Sequence, residues 1–590
     1  MSMTIEQRTI NTIRVLAIDA IEKAKSGHPG LPLGAAPMAY TLWRNHLVVD
    51  PSDPAWHNRD RFILSAGHGS MLLYALLHLS GFPVTIDDIK QFRQWGSITP
   101  GHPEYGVTPG VETTTGPLGQ GFANAVGMAI AERILAARFN RPGYPIVDHF
   151  TYALCGDGDL MEGISYEAAS LAGHLGLGKL IVLYDANDVS LDGPISLTFT
   201  EDIVKRFAAC NWQVLTVQDG NHDITAIDHA ITAAKEEKEC PSLIIIKTTI
   251  GFGSPNKQGT SAAHGAPLGE KEAALTRENL GFAHVPPFVV DPDIYEHLAC
   301  IAQRGKKQHA TWSKQFEQWA QKFPDLADEW HRGILLEPSL PLDKPLVSFT
   351  PNEKIATRKA NSVVLNVIAA KTPWLVGGDA DLSCSTLTAI EKEGSFSREN
   401  PLGRNIHFGV REHAMAGIAN GIAYHGGLRP YVATFFSFAD YMRPSLRLAA
   451  LSKLPVIFIF THDSIAVGED GPTHQPIEHL ASLRCIPNLT IIRPADAVEV
   501  EAAWRFILSH TSGPVALVLT RQAVPVLPRT SPLQVDDSLT GATIIADTPD
   551  PQAILIATGS EVSLALRAQE LLATQGIKIR ERMNLPFLWQ

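Results

Sequence analysis

Asp157 and Asn187 close two consecutive apolar segments, TYALC and KLIVLYDA, and both end in oxygen atoms that a hard cation could use. Between them, EGISYEAASLAGHLG has helical spacing. The segment is therefore a predicted strand–helix–strand unit, with parallel strands and a right-handed crossover. If the two strands are neighbours, both residues lie on one carboxyl edge of the sheet, where open α/β folds bind ligands. A carboxylate, an amide oxygen and nearby carbonyls suit Mg²⁺ or Ca²⁺ carrying phosphates, and do not suit zinc. The glycines of Gly156-Asp157-Gly158 allow a phosphate oxygen close to the backbone. Gly-Asp-Gly is also ordinary turn chemistry. The polar run Asn187-Asp188-Val189-Ser190 adds metal-competent atoms that a simple loop does not need.

His28, His102, His264 and His474 stand in loops rich in Gly and Pro, outside any core-like alternation. Taken singly, each is a surface or internally satisfied imidazole. Converging on one cleft, they could donate to sugar hydroxyls and shuttle protons. Neither HExxH nor a Cys/His ligand spacing is present, which argues against zinc.

The elements that must position these residues come from a chain of 590 residues, enough for roughly three to four domains. Composition is globular, with 45% hydrophobic and 19% charged residues. A net charge of -12 argues against general nucleic-acid binding. The six cysteines are scattered without close pairs, as expected of reduced thiols in a cytoplasmic protein. Thr4-x-x-Gln7 is a predicted capping box at the start of a helix, in place of a signal peptide. No apolar run approaches the ~20 residues needed to span a bilayer.

An α/β series fills residues 1–310, and GQGFANAVGMAIAERILAARF within it reads as an amphipathic helix. Residues 311–351 read as a linker, helical and then extended through EPSLPLDKP. A second series over 352–540 has strand candidates WLVGGDADL, NIHFGV, YVATFF, LPVIFIFTHD, LTIIRP and VALVLTR. Its polar residues again cluster at strand ends: Asp379, Asp381, Glu412, His462, Asp463, Arg493 and Arg521. A third series over 541–590 is too short to bury a full α/β core, and its apolar ending NLPFLWQ makes the chain look truncated there. The expected fold is α/β, with two successive doubly wound domains and an incomplete third.

Ten loops follow one order: SGHPG (26–30), GHGS (67–70), PGHPE (100–104), TTTGPLGQG (113–121), GDGDLMEG (156–163), GFGSPN (251–256), HGAPLG (264–269), GVREHAM (409–415), THDSI (461–465) and GEDGPTHQP (468–476). Together they closely resemble transketolase, the thiamine diphosphate family that moves two-carbon ketol units between sugar phosphates. The resemblance runs from residue 1 to about 580. It implies a place in the pentose phosphate pathway, two thiamine diphosphate-binding domains and a homodimer with active sites at the subunit interface.

By that resemblance, Asp157, Asn187 and the Val189 carbonyl bind Mg²⁺, or Ca²⁺ or another divalent ion. Gly158, His68, His264 and the backbone of Gly116-Pro117-Leu118 hold the cofactor. Glu412 hydrogen-bonds the aminopyrimidine ring, and Phe438 stacks on it. The simpler readings are a helix N-terminal acid for Glu412 and a core aromatic for Phe438. His28, His102, His264 and His474 act on the sugar. Arg358, Ser385, His462 and Arg521 bind its phosphate, Arg521 otherwise being a surface strand-end residue, and Asp470 meets a hydroxyl. Asp379, Cys384 and Thr386 depart from the family's usual residues around Ser385, which bears on substrate preference. Two other readings are a different thiamine diphosphate enzyme, such as deoxyxylulose phosphate synthase or a 2-oxoacid dehydrogenase component, and a truncated non-catalytic paralogue. The paired KSGHPG and GEDGPTHQP loops weigh against the first, and the full set of site residues against the second.

Overall fold

The computed structural model describes residues 3–529 and 542–584. Residues 585–590, the greater part of the NLPFLWQ ending, lie outside the described residues. Chain contacts divide the molecule into two compact units, Met1–Pro324 and Asp325–Gln590.

The first unit is built on β1 (Arg61–Leu64), β2 (Thr151–Gly156), β3 (Leu180–Ala186), β4 (Gln213–Val217) and β5 (Ser242–Lys247), in spatial order β1-β2-β3-β5-β4. Every pairing is parallel. Strands β1, β2 and β3 are buried at every position, which explains their unbroken apolar runs. Gly156 pairs with Asp185, so Asp157 and Asn187 leave the same edge of adjacent strands. The crossover helix is Gly163–Leu175. The capping box at Thr4 is present on the helix Ile5–Ala24, with both of its hydrogen bonds made.

The helix Gln120–Phe139 is buried on nearly all sides, where a single apolar face was expected. It packs on the helix Gly163–Leu175 and on β1 and β2. Gly121, Ala123, Ala125, Gly127, Ala129 and Ala131 are what permit neighbours on every face. The helix Pro292–Lys322 runs unbroken through the expected start of the linker at 311. Trp312 and Trp319 fasten it to the first unit, their indole NH groups donating to the carbonyls of Ile146 and Phe139.

The second unit opens with the helix Pro324–Leu335, followed by β6 (Lys354–Ala356). It then forms a parallel sheet from β7 (Leu375–Asp379), β8 (Asn405–His407), β9 (Arg429–Phe435), β10 (Ile457–Thr461), β11 (Thr490–Ile492) and β12 (Val515–Val518). The order is β11-β12-β10-β9-β7-β8, and β13 (Ala523–Pro525) returns antiparallel to β6. A third, mixed sheet carries β14 (Ala542–Ala546), β15 (Ala553–Ala557) and β16 (Ile579–Asn584), with β16 central. One helix, Glu561–Thr574, covers it incompletely, leaving Ile554, Ile556, Leu564 and Leu571 at least half exposed. Ala495, Leu527 and Val562 form the small apolar cluster that joins this sheet to the rest of its unit.

Gly173, on the crossover helix, lies so close to the next segment that a Cβ there would sit 1.7 Å from the Cys210 carbonyl oxygen. Gly173→Ala should therefore destabilise the first unit by about 1–3 kcal/mol, read as a lower urea midpoint at unchanged slope. An unchanged midpoint would refute the close approach.

Candidate active site

At the carboxyl edge of the first sheet, Asp157 begins a short helical turn, Asp157–Met161, and is only 3% exposed. The Tyr184 hydroxyl donates to its Oδ1, while Oδ2 is buried with no hydrogen-bond partner among the described residues. Burial raises this carboxyl to about 7, with Asp185 and Asp188 adding repulsion and the Tyr184 hydroxyl opposing the rise. Asp185, fully buried, is raised to about 6 by desolvation against hydrogen bonds from Thr248 and Asn187. Anionic groups crowded in a dry pocket are suited to a cation that removes the repulsion.

Asn187 is oriented for that task. Its Nδ2 donates to Asp185 Oδ2 at 2.9 Å, which settles which end is oxygen. Its Oδ1 accepts from the Val189 NH at 3.2 Å and keeps a lone pair free for a further ligand. Val189 itself is buried.

Asp159 organises the surrounding loops. It accepts from Ser65 Oγ at 2.7 Å, Gly119 NH at 2.8 Å and Gly156 NH at 3.0 Å. One carboxylate thus ties together the strand end before GHGS, the start of the helix Gln120–Phe139 and the GDG turn. The loop Gly116-Pro117-Leu118 is drawn over GDG, and a Cβ on Gly158 would stand 2.8 Å from Leu118 Cδ1. Gly116 has φ 133°, a conformation open mainly to glycine, and a Cβ there would meet the His102 ring at 3.1 Å.

Four imidazoles gather beside this cradle. Ring centroids of His28 lie 5.3 Å from His68, 6.1 Å from His102 and 6.0 Å from His264, and His68 stacks on His264 at 5.1 Å. Burial keeps all four below the ordinary histidine range. His28 falls to about 4, with help from the Arg93 guanidinium and the neighbouring rings. Arg93 Nη2 lies 3.3 Å from His28 Nδ1, and its Nη1 donates to Ser26 Oγ at 3.0 Å. The Nδ1 of His264 and the Oγ of Thr115 are buried without partners among the described residues. These atoms, the Asp157 Oδ2 and the glycine cradle fit a diphosphate and its cation.

In the second unit, Glu412 opens the helix Glu412–His425, and burial raises its carboxyl above the usual range. Thr434, near the end of β9, donates to Glu412 Oε1 at 3.5 Å. The next residue, Phe435, leads into an aromatic group: its ring lies 6.0 Å from Phe438, 3.7 Å from His462 and 6.2 Å from His474, and Phe438 lies 5.2 Å from His474.

Arg358 and Arg521 are brought together by a threonine clip. The Thr357 NH donates to Thr520 Oγ1 at 2.9 Å, and the Thr520 NH donates to Thr357 Oγ1 at 2.7 Å. Each arginine is the residue after its threonine. Arg358 donates to Ser385 Oγ at 3.2 Å and to the Ser385 carbonyl. Arg521 pairs with Glu469, beside Asp470. His462 has φ 61° and falls to about 4, through burial and then the charges of Arg358 and Arg521, with Asp470 opposing. Asp379 accepts the Leu382 NH at 2.6 Å and so caps the turn that carries Ser385. Thr386 is buried and bonded to Leu382 and Thr388, while Cys384 is exposed.

Sequence reasoning missed Asp159, Asp185, Arg93, Thr357, Thr434 and Thr520. Asp159 had a signal, an acid three residues after Gly156 in GDGD, which is a helix-start spacing. Thr357 and Thr520 had none, because the clip spans 163 residues of sequence.

Three family models match the chain: "Transketolase, thiamine diphosphate binding domain" over residues 5–338, "Transketolase, pyrimidine binding domain" over 353–526, and "Transketolase-like TK C-terminal domain" over 541–581. The transketolase of Geobacillus stearothermophilus is 56% identical over 98% of this chain and 87% of its own length. That of Bacillus subtilis is 54% identical with the same coverage. Among solved structures, transketolase from Leishmania mexicana superposes with a TM-score of 0.95 at 45% identity, covering 99% of this chain and 87% of that one. A Pichia stipitis transketolase in complex with sedoheptulose 7-phosphate gives 0.95 at 43% identity, covering 99% and 86%.

The imidazole cluster has a pH signature. A base whose pKa falls from 6.5 to about 4 on folding leaves the unfolded chain with more bound protons between those values. Its contribution is complete above pH 6.5 and is lost as pH falls through 4. Proton NMR should place the His28 midpoint near 4, and His28→Asn should flatten the acid limb of the stability curve. A His28 midpoint at or above 6.5 would contradict the closed cluster.

Proposed function

The chain belongs to the transketolase family, and from that premise we propose how its own residues divide the work of moving a two-carbon ketol group. The reaction is a reversible transfer from a ketose phosphate of the xylulose 5-phosphate type to an aldose phosphate of the ribose 5-phosphate or erythrose 4-phosphate type. Thiamine diphosphate, when bound, supplies a nucleophilic thiazolium carbon and an electron sink for breaking the bond beside the ketose carbonyl.

Asp157, Asn187 and the Val189 carbonyl hold a divalent cation, expected to be Mg²⁺, with Ca²⁺ also suited to an all-oxygen set. Gly158, His68, His264 and the Gly116-Pro117-Leu118 backbone hold the diphosphate and the adjoining ring. The observation that carries this assignment is the buried, unpartnered Asp157 Oδ2 pressed against Asp185 and Asp188. A buried carboxylate oxygen left without a partner is costly, and a divalent cation held there would neutralise it.

Glu412, with its pKa raised by burial, shares a proton with a pyrimidine nitrogen, and Phe438 stacks on that ring. His28, His102, His264 and His474 exchange protons with the sugar hydroxyls. Those of the buried cluster are held neutral, so each can accept a proton at one nitrogen and donate from the other. Arg358, Arg521, Ser385 and His462 bind the sugar phosphate, the two guanidiniums giving fixed charge and planar donors. Asp470 accepts from a substrate hydroxyl.

The working form is a homodimer in the cytoplasm, with active sites at the subunit interface. Val410, two residues before Glu412, is 74% exposed, and Ile465 and Ile477 are 62% and 72% exposed. Such apolar exposure around a site favours a covered surface. Among the described residues no helix is long and apolar enough to cross a membrane.

In an assay coupling xylulose 5-phosphate to ribose 5-phosphate, Glu412→Ala should lower turnover about 10²–10⁴-fold; near-normal turnover would refute its role. Thiamine diphosphate with Mg²⁺ should stabilise the protein by about 2.7 kcal/mol at a hundredfold excess over Kd, seen as a raised Tm. Asp157→Ala should abolish that shift, and an undiminished shift would place the cation elsewhere. Equilibrium sedimentation should show two-chain species, with a monomer at all concentrations as the contrary result.

A further inference from the structure

We propose that Arg493 is a positioning residue through which the third sheet and its helix set the preference of His462 for phosphorylated sugars. The inference rests on the assignment of His462 to the substrate phosphate and extends it to residues nearly a hundred positions away in sequence.

His462 is held in a left-handed conformation, φ 61°, that non-glycine residues adopt only when their surroundings enforce it. The residue that follows it is the natural place to look for the restraint. The Asp463 side chain has no solvent exposure, and one of its oxygens, Oδ2, accepts from both Nε and Nη2 of Arg493, at 2.9 and 2.7 Å. Arg493 is itself 7% exposed, so this is a buried ion pair, with its geometry fixed by two hydrogen bonds from a planar donor.

The far side of Arg493 is gripped by the segment Thr558-Gly559-Ser560-Glu561, which joins β15 to the helix Glu561–Thr574. Arg493 Nη1 donates to the Thr558 carbonyl at 3.1 Å, Nη2 donates to Glu561 Oε1 at 3.1 Å, and Glu561 Oε2 pairs with Nη1. The Thr558 hydroxyl donates back to the Arg493 carbonyl at 3.3 Å. Gly559 has φ 59°, and a Cβ there would fall 2.6 Å from Arg493 Nε, so the segment can close on the guanidinium only with glycine at that position. Ala495 and Val562 pack together beside the clamp.

One guanidinium therefore bridges two carboxylates, one fixed beside His462 and one borne by the third sheet's helix. Loosening the clamp frees Arg493, hence Asp463, hence the φ of His462 and its seat against Phe435. That seat is 3.7 Å between ring centres, and it aims the imidazole among Arg358, Arg521 and Asp470. Within this unit Glu412 takes no part in the chain of contacts, and Phe438 and His474 meet it through the Phe435 ring, at 6.0 and 6.2 Å, so the larger effect falls on phosphate recognition.

The test compares kcat/KM for xylulose 5-phosphate with that for xylulose in the cofactor-loaded enzyme. Glu561→Gln removes a charge from a side chain that is 45% exposed and leaves the fold intact. It should lower the phosphate-to-sugar ratio about three- to tenfold, with xylulose itself unaffected. Gly559→Ala, which displaces Arg493 by a separate route, should lower the ratio in the same direction. His462→Ala should lower it at least as far. Equal losses on both substrates would show a merely structural clamp and overturn the proposal. If His462→Ala lowers the ratio and Glu561→Gln and Gly559→Ala do not, the proposal fails while the role of His462 stands. If His462→Ala leaves the ratio unchanged, both fall.

Discussion

Carboxylates buried at the ends of two adjacent parallel strands are the constraint around which the first unit is organised. The pairing of Gly156 with Asp185 places Asp157 and Asp185 on one dry edge, and Asp188 follows at the surface. Desolvation and mutual repulsion lift Asp157 to about 7, so near neutrality it is divided between protonated and charged forms. A divalent cation bound there would end that competition by removing the proton and the repulsion together. The neighbouring geometry follows from the same need. Asp185 turns the Asn187 amide so that its oxygen remains available, and Asp159 spends its own charge on three donors. Of the buried carboxylates at this edge, Asp157 is the one with an oxygen to spare.

The second unit uses the same architecture with the opposite charge. At the carboxyl edge of its sheet the threonine clip sets Arg358 beside Arg521, and burial, reinforced by the charges of both, lowers His462. One edge is anionic and fits a cation with its diphosphate. The other is cationic and fits a phosphorylated sugar. Doubly wound sheets make both possible, because each strand delivers one residue to the edge and the next loop is free to vary. Burial raises the acid at the head of the helix Glu412–His425 above its usual range.

Much of this was legible in the chain, for identifiable reasons. Strands covered on both faces show as uninterrupted apolar runs, and the polar residue that stops each run marks the edge where ligands bind. Asp157, Asn187, His462 and Arg521 were read as strand-end residues in that way, and each follows a strand of the fold. The helix Gln120–Phe139 misled, because small residues can pack on any face and leave no periodic apolar stripe. Polar residues between Trp312 and Trp319 likewise hid two indoles that anchor the helix Pro292–Lys322. Residues that act by holding other residues were not legible. The Thr357–Thr520 clip, the Asp159 junction and the grip of Glu561 on Arg493 are contacts between distant segments, and neither partner has a local pattern that names the other.

Charge and neutrality are assigned to different tasks across the molecule. Arg358 and Arg521, proposed to hold a phosphate, carry fixed charge and are set side by side by the threonine clip. Groups that must trade protons are kept neutral by burial. His68, His102 and His264 each lie within about 6 Å of His28 in a pocket that disfavours imidazolium. Four charged rings at that spacing would repel one another strongly in a medium of low polarity. The cluster therefore persists only with its rings unprotonated, and an unprotonated ring is the form able to accept a proton. Arg93, set 3.3 Å from His28, reinforces that state without itself being able to give up a proton. Packing the imidazoles together in a dry site thus favours the neutral form of the histidines, as burial and the neighbouring aspartates favour the neutral form of Asp157; the histidines act in that form, whereas Asp157 needs a cation to give up its proton.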